Sequence, residues 1–239
     1  MKKIFKIISL LTFTFYSTFV YSNLARAVEP SSYINTIYAI NLCGPGSSLT
    51  ACVGPVVLGS TTAGTTFDLG SVTAGASAGN MGNLSAAVSG TTYSFAQVIL
   101  SRAFTVTGEA GAAGGSNRCR TETDNEFDVS SPSVVLGAND TAAAESQVIG
   151  IPSGTISSNM IGTTSLTGLD GADNSSGNGN IADAEPRVKF RFALTAPITI
   201  VQGKLPTFTI AFDLSDALTF GGSCAATPSA PSVTASFSN

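Results

Sequence analysis

From residue 207 to residue 214 the chain reads Thr-Phe-Thr-Ile-Ala-Phe-Asp-Leu. In an extended ribbon, Phe208, Ile210, Phe212 and Leu214 fall on one face, and Thr207, Thr209 and Asp213 on the other. A ribbon patterned this way buries one side against a second sheet. The pattern recurs along the chain. Ile34, Thr36, Tyr38, Ile40 and Leu42 alternate ahead of a Cys-Gly-Pro-Gly turn. Further strands are expected at 55–58, 66–72, 93–101, 126–129, 133–136, 147–151, 187–194, 198–201 and 232–237, with Phe104 and Val106 prolonging the third of these. Helical periodicity is nearly absent, and only 141–147, capped by Asp140, suits a turn or two of helix. The fold class predicted is all-β, a β-sandwich of about ten antiparallel strands with few or no helices. No fixed repeat points to a propeller or solenoid.

The composition agrees. Charged residues make up 11% of the 239, against roughly 25% in an average globular chain, and Gly, Ser, Thr and Ala fill the difference. Such residues suit short strands joined by many tight turns.

The first 27 residues read as a secretory signal. Lys2, Lys3 and Lys6 form a basic start, Ile7 to Val20 an apolar run, and Ala25-Arg26-Ala27 a cleavage site, so the mature β-domain is expected to span 28–239. The run is short for a membrane span and is interrupted by Ser9, Thr12, Thr14, Ser17 and Thr18. Removing Lys2, Lys3, Lys6 and Arg26 leaves seven basic against fifteen acidic residues, a net charge of −8. That balance argues against a nucleic-acid partner. The Gly- and Ala-rich segment 108–117 reads as a loop or a boundary between sub-modules.

Four cysteines, Cys43, Cys52, Cys119 and Cys224, suggest two disulfides in an exported chain, whether periplasmic, surface-bound or secreted. Four cysteines admit three pairings. Gly44-Pro45-Gly46 lets the chain reverse between Cys43 and Cys52, which favours that pair and leaves Cys119–Cys224. Zinc is disfavoured, since the chain has neither a histidine nor a C-x-x-C.

One stretch carries a resemblance. Tyr33-Ile34-Asn35-Thr36-Ile37 leads to Pro55-Val56-Val57-Leu58, then Phe67-Asp68-Leu69, Gly75, and Gly90-Thr91-Thr92-Tyr93 entering a strand. This order, over residues 33–107, resembles exported bacterial prealbumin-like (transthyretin-like) sandwich modules of unknown function. The resemblance implies a fold type and no activity.

The chemical motifs are few. Gly75-Ala76-Ser77-Ala78-Gly79 matches a G-x-S-x-G nucleophile elbow. A serine nucleophile needs a base, and this chain has no histidine. From 118 to 128 every second residue is charged: Arg118, Arg120, Glu122, Asp124, Glu126 and Asp128. If extended, all six project from one face, which places Cys119 inward. Arg187, Lys189 and Arg191 form a basic counterpart. The two ladders are read as solvated outer faces, or else as neighbours that meet within or between subunits. The four carboxylates also raise glycoside cleavage, but the chain lacks tryptophan for a sugar-stacking cleft.

Asn174, Ser176, Asn178, Gly179, Ile181 and Glu185 fall at positions 1, 3, 5, 6, 8 and 12 of a calcium loop. Oxygen-bearing side chains at alternate positions converge on a hard cation, Gly179 permits the sharp turn, and Glu185 closes the site. Asn in place of Asp, Ser at the third position and a strand after Pro186 depart from that pattern, and a plain Asn/Gly-rich surface loop is the other reading. Asn83, Asn139 and Asn174 head glycosylation tripeptides.

No cofactor is implied apart from calcium, and no catalytic set emerges. An exported structural or surface protein is the leading expectation: a filament, coat or adhesive subunit that self-associates through edge strands. The strand at 33–42 and the terminal Val233, Ala235 and Phe237 are the candidate donors. An extracytoplasmic binding module for glycan or calcium is the alternative.

Overall fold

The computed structural model describes residues 26–71, 84–111, 118–130, 134–155, 165–169, 180–204, 207–229 and 232–238. Among these residues seventeen strand segments follow one another: β1 (Arg26–Val28), β2 (Ser32–Cys43), β3 (Val56–Asp68), β4 (Thr92–Ser101), β5 (Ala103–Thr107), β6 (Glu109–Ala110), β7 (Cys119–Arg120), β8 (Val135–Leu136), β9 (Gln147–Gly150), β10 (Gly154–Thr155), β11 (Ser165–Leu169), β12 (Asn180–Ile181), β13 (Arg187–Thr199), β14 (Thr207–Asp213), β15 (Leu218–Phe220), β16 (Ala225–Pro228) and β17 (Ser232–Ser238). Among the described residues the only helical elements are 3-10 turns at Leu84–Ala86 and Gly222–Cys224. The all-β class is as predicted, but the strands are more numerous and many are shorter than expected. Residues 141–147 form no helical turn. Asp140 instead accepts a hydrogen bond from the Ala142 amide and pairs with Arg120.

Strands β4 and β5 make one ribbon, 92–107, interrupted only at Arg102. On one edge it pairs with β2, Leu42 opposite Ala96 and Ser32 opposite Thr107. On the other edge β13 pairs with its first part and β9 with its second. β3 lies outside β2, and β11 outside β13. Strands from either side of 108–117 therefore share one seven-stranded sheet. A second sheet runs β1-β15-β16-β8. One core joins the two, with Tyr33, Val106 and Val188 from the first and Leu218 and Phe220 from the second.

β2 is enclosed, with partners along both edges. The expectation that residues 33–42 donate a strand to a neighbour is thus corrected, because their backbone groups are already paired inside the sheet. Two predicted strands, 55–58 and 66–72, are one strand here. β3 carries register shifts opposite Ile37/Ala39 and Ile40/Asn41, so the four residues Thr61–Gly64 bulge out. Gly64, at φ +77°, lies where a Cβ would collide with Thr36. In the same way 187–194 and 198–201 join as β13, with a shift between Ala193 and Ile198 that accommodates Pro197.

Both expected disulfides form, Cys43–Cys52 and Cys119–Cys224. They are compatible with an oxidising compartment. No helix among the described residues is long and apolar enough to cross a membrane. β1 spans the expected cleavage point. Cutting after Ala27 would remove Arg26 and Ala27 from opposite Phe220 and Thr219 and leave Val28 opposite Leu218.

Candidate functional site

Arg102 is the one charged residue between Asp68 and Glu109, and it stands inside a strand pattern. Its side chain is fully buried. It sits where β13 and β9 part company along the ribbon, and its guanidinium fills that gap. Nε donates to Ile151 O at 2.6 Å, and Nη1 to Ala182 O at 2.9 Å and Glu185 O at 3.2 Å. The Phe127 ring centroid lies 5.5 Å from the guanidinium carbon. On the opposite edge, Asn35 Nδ2 donates to Ser101 O and Ala103 O and closes the carbonyls the irregularity frees. Burial lowers the Arg102 pKa, while the charges of Asp183 and Glu185 oppose that shift.

The calcium-loop residues Asn174, Ser176, Asn178 and Gly179 lie outside the described residues, as do the G-x-S-x-G residues 75–79. Ile181 and Glu185 are described, and both are buried. Ile181 pairs with Gly154 across β10 and β12. The Glu185 carboxylate accepts the Ala182 amide at 2.6 Å, which braces the turn containing Ala184 at φ +63°. It also packs against Gly168, where any Cβ would strike its Oε2. A carboxylate held this way secures its own turn on the Arg102 clamp.

A second polar group crosses three adjacent strands in register: Asn41 on β2, Gln97 on β4 and Arg191 on β13. All three are buried. Arg191 Nε and Nη2 both reach Gln97 Oε1, at 3.2 and 2.9 Å, and Nη1 donates to Leu49 O at 2.6 Å. Leu49 belongs to the loop closed by Cys43–Cys52, so Arg191 ties that loop down on the sheet. Burial lowers the Arg191 pKa. Arg187, further along β13, lays its guanidinium 3.8 Å over the Tyr38 ring.

The reading of both ladders as solvated faces is corrected at Arg118, Arg120 and Arg191, all buried. Only Cys119–Arg120 of the 118–128 segment is strand, since a turn begins at Thr123. Arg118 pairs with Glu109, and Arg120 makes a two-pronged bond to Asp140, at 2.6 and 2.9 Å. Asp124, Glu126 and Asp128 are exposed. Along the sheet the basic ladder of β13 neighbours β11 and β4, not the acidic segment. Sequence reasoning missed these clamps. The one signal that pointed to them was a lone charge, Arg102, in a long uncharged stretch.

No family model matches this chain. Neither a characterised protein nor a solved structure matches it. Its chemistry therefore has to be read from its own geometry. Each buried arginine donates to a main-chain carbonyl, a side-chain amide or a carboxylate of the same chain. Among the described residues no three His, Cys, Asp or Glu side chains converge on one point. What this arrangement does chemically is fix loops onto a sheet.

One clamp has a pH signature. The Arg120 guanidinium and then the Ala142 amide draw the Asp140 carboxyl down from 3.8 to about 2. The folded form therefore holds this carboxylate's proton more weakly than the unfolded chain does. The stabilisation is complete above about pH 4 and drains away as the pH falls toward about 2. Melting curves of the wild type and of Asp140→Asn should stand apart at about pH 5 and converge by about pH 2. A gap of constant width would mean that this pair does not titrate with folding.

Proposed function

We propose that this chain is an exported structural or surface subunit that associates with copies of itself and performs no catalysis. The observation that carries this reading is the use of its buried cations. Arg102, Arg118, Arg120 and Arg191 all bind groups of their own chain, leaving the charged interior committed to holding shape. The signal-like start and the paired cysteines add support, because a subunit that works outside the cytoplasm benefits from covalent staples. The enclosure of β2 leaves the terminal strand β17, which pairs with β14 along one edge, as the remaining candidate donor.

Light scattering and negative-stain microscopy of the purified mature protein test the proposal. Particles should grow with protein concentration, and ordered assemblies should be visible on the grid. A monomer persisting to millimolar concentration would end the reading.

A further inference from the structure

Among the described residues, Ala184, Ser223 and Cys224 are the residues other than glycine with left-handed backbone. The last two are consecutive, and Cys224 is half of a disulfide. Together they make the turn between β15 and β16. Ser223 stands at φ +56° and ψ +29°, Cys224 at φ +59°, and the Ala225 amide closes the turn on Gly222 O. A turn with two central residues of this sense matches the twist of a hairpin, and Asn-Gly is its preferred occupant. Other side chains at positive φ bring their Cβ against the following carbonyl. Here serine and cysteine both carry that crowding. Ser223 is exposed, whereas Cys224 is buried and bonded to Cys119. The cross-link is what holds the turn in this hand.

Three segments meet at the bond. Arg120, next to Cys119, exchanges two main-chain hydrogen bonds with Ala138, both 2.9 Å. Cys224 O accepts from the Gly137 amide at 2.8 Å. β8, at the end of its sheet, is joined to β16 by two residue pairs, Ala225 with Leu136 and Ala226 with Val135. The Gly137 bond therefore extends a very short ladder, and it depends on where the turn places the Cys224 carbonyl. None of the three segments belongs to the seven-stranded sheet.

We propose that Cys119–Cys224 is a redox lock: a dithiol opens it in the folded protein, the Ser223–Cys224 turn relaxes, and β8 loosens from β16 while the seven-stranded sheet stays intact. Backbone held in a sparsely populated region persists only while its surroundings over-determine it, and here the sulfur bridge supplies that constraint. The half-buried Cys119 offers the point of attack. A thiolate of the dithiol bonds to Cys119 Sγ, the bridge breaks, and Cys224 leaves as a thiolate that takes up a proton. The second thiol of the reagent then displaces Cys119 from the mixed disulfide. Two electrons and two protons pass to the cysteines, and the dithiol ends as a disulfide. The lock goes beyond the proposed self-association and does not depend on it.

Equilibration with mixtures of reduced and oxidised dithiothreitol, followed by alkylation and peptide mass spectrometry, tests the lock. Cys119 and Cys224 should become alkylated together while the strand signal in circular dichroism persists. Hydrogen exchange should then rise at 119–121, 135–138 and 222–226 and stay slow at 32–43 and 92–107. Ser223→Gly removes one Cβ from the turn and should raise the ratio of reduced to oxidised reagent at half-opening about fivefold. Ser223→Val, at the same exposed position, should lower it, because a β-branched residue is worse at positive φ. The half-opening ratio of Cys43–Cys52 should not move in either variant. Loss of the strand signal as the bond opens would overturn the proposal, since the bridge would then hold the whole fold. Equal half-opening ratios in all three proteins would also overturn it, since no strain would be released with the bond. Self-association is read by light scattering, so a failure here is separate from a failure of that reading.

Discussion

Arg102→Met is expected to cost about 3–5 kcal/mol and to lower the melting temperature by about 10 °C. Methionine refills much of the volume, so the loss is mainly one of hydrogen bonds. The carbonyls of Ile151 and Glu185 would lose these donors inside the protein, and Ala182 O would keep only the longer bond from the Glu185 amide at 3.4 Å. Each orphaned acceptor costs about 1–3 kcal/mol. Apolar replacement of a buried ion pair can be neutral when both partners go together. Here the acceptors are main-chain atoms and remain behind. Arg102→Lys should fall in between, because one ammonium cannot span carbonyls held by two nitrogens of a planar fork. Thermal melts of the three proteins decide the matter, and a drop below about 3 °C for the methionine variant would show that the clamp contributes little.

The two disulfides should differ in weight by about a factor of two. Cys119–Cys224 spans 105 residues and Cys43–Cys52 spans nine. In the chain-entropy treatment these separations correspond to about 5 and about 2.5 kcal/mol. Cys119→Ala/Cys224→Ala should therefore be the more damaging pair, seen as the larger loss of unfolding free energy when urea titrations are extrapolated to water. The reverse order would mean that native contacts of the 43–52 loop, above all Leu49 with Arg191, outweigh chain entropy. Pairing itself was open to the sequence, since a Gly-Pro-Gly turn places Cys43 and Cys52 within reach and leaves one alternative for the rest.

Strand positions were legible where alternation is clean. In β14, Leu214 just beyond the strand is buried and Asp213 is exposed, as the pattern of 207–214 demands. Legibility failed where a strand carries no alternation. Gly59 to Thr65 offers Gly, Ser, Thr and Ala with no apolar period, so β3 reads as two fragments. Arg118 and Arg120 mislead for another reason. A charged side chain suggests solvent unless its partner is known, and Glu109 and Asp140 come close only once the chain has folded. The register of Asn41, Gln97 and Arg191 is likewise a property of three strands far apart along the chain, and no local window contains it.

The arrangement of the 92–107 ribbon has a consequence for how the molecule is made. Val98 must find Ile40 on one side and Phe190 on the other, and Ala103 must find Gly150. Sheet closure waits on a partner about ninety residues downstream, a topology associated with slow acquisition of structure. A nascent polypeptide of this design cannot close its main sheet until most of it has been synthesised.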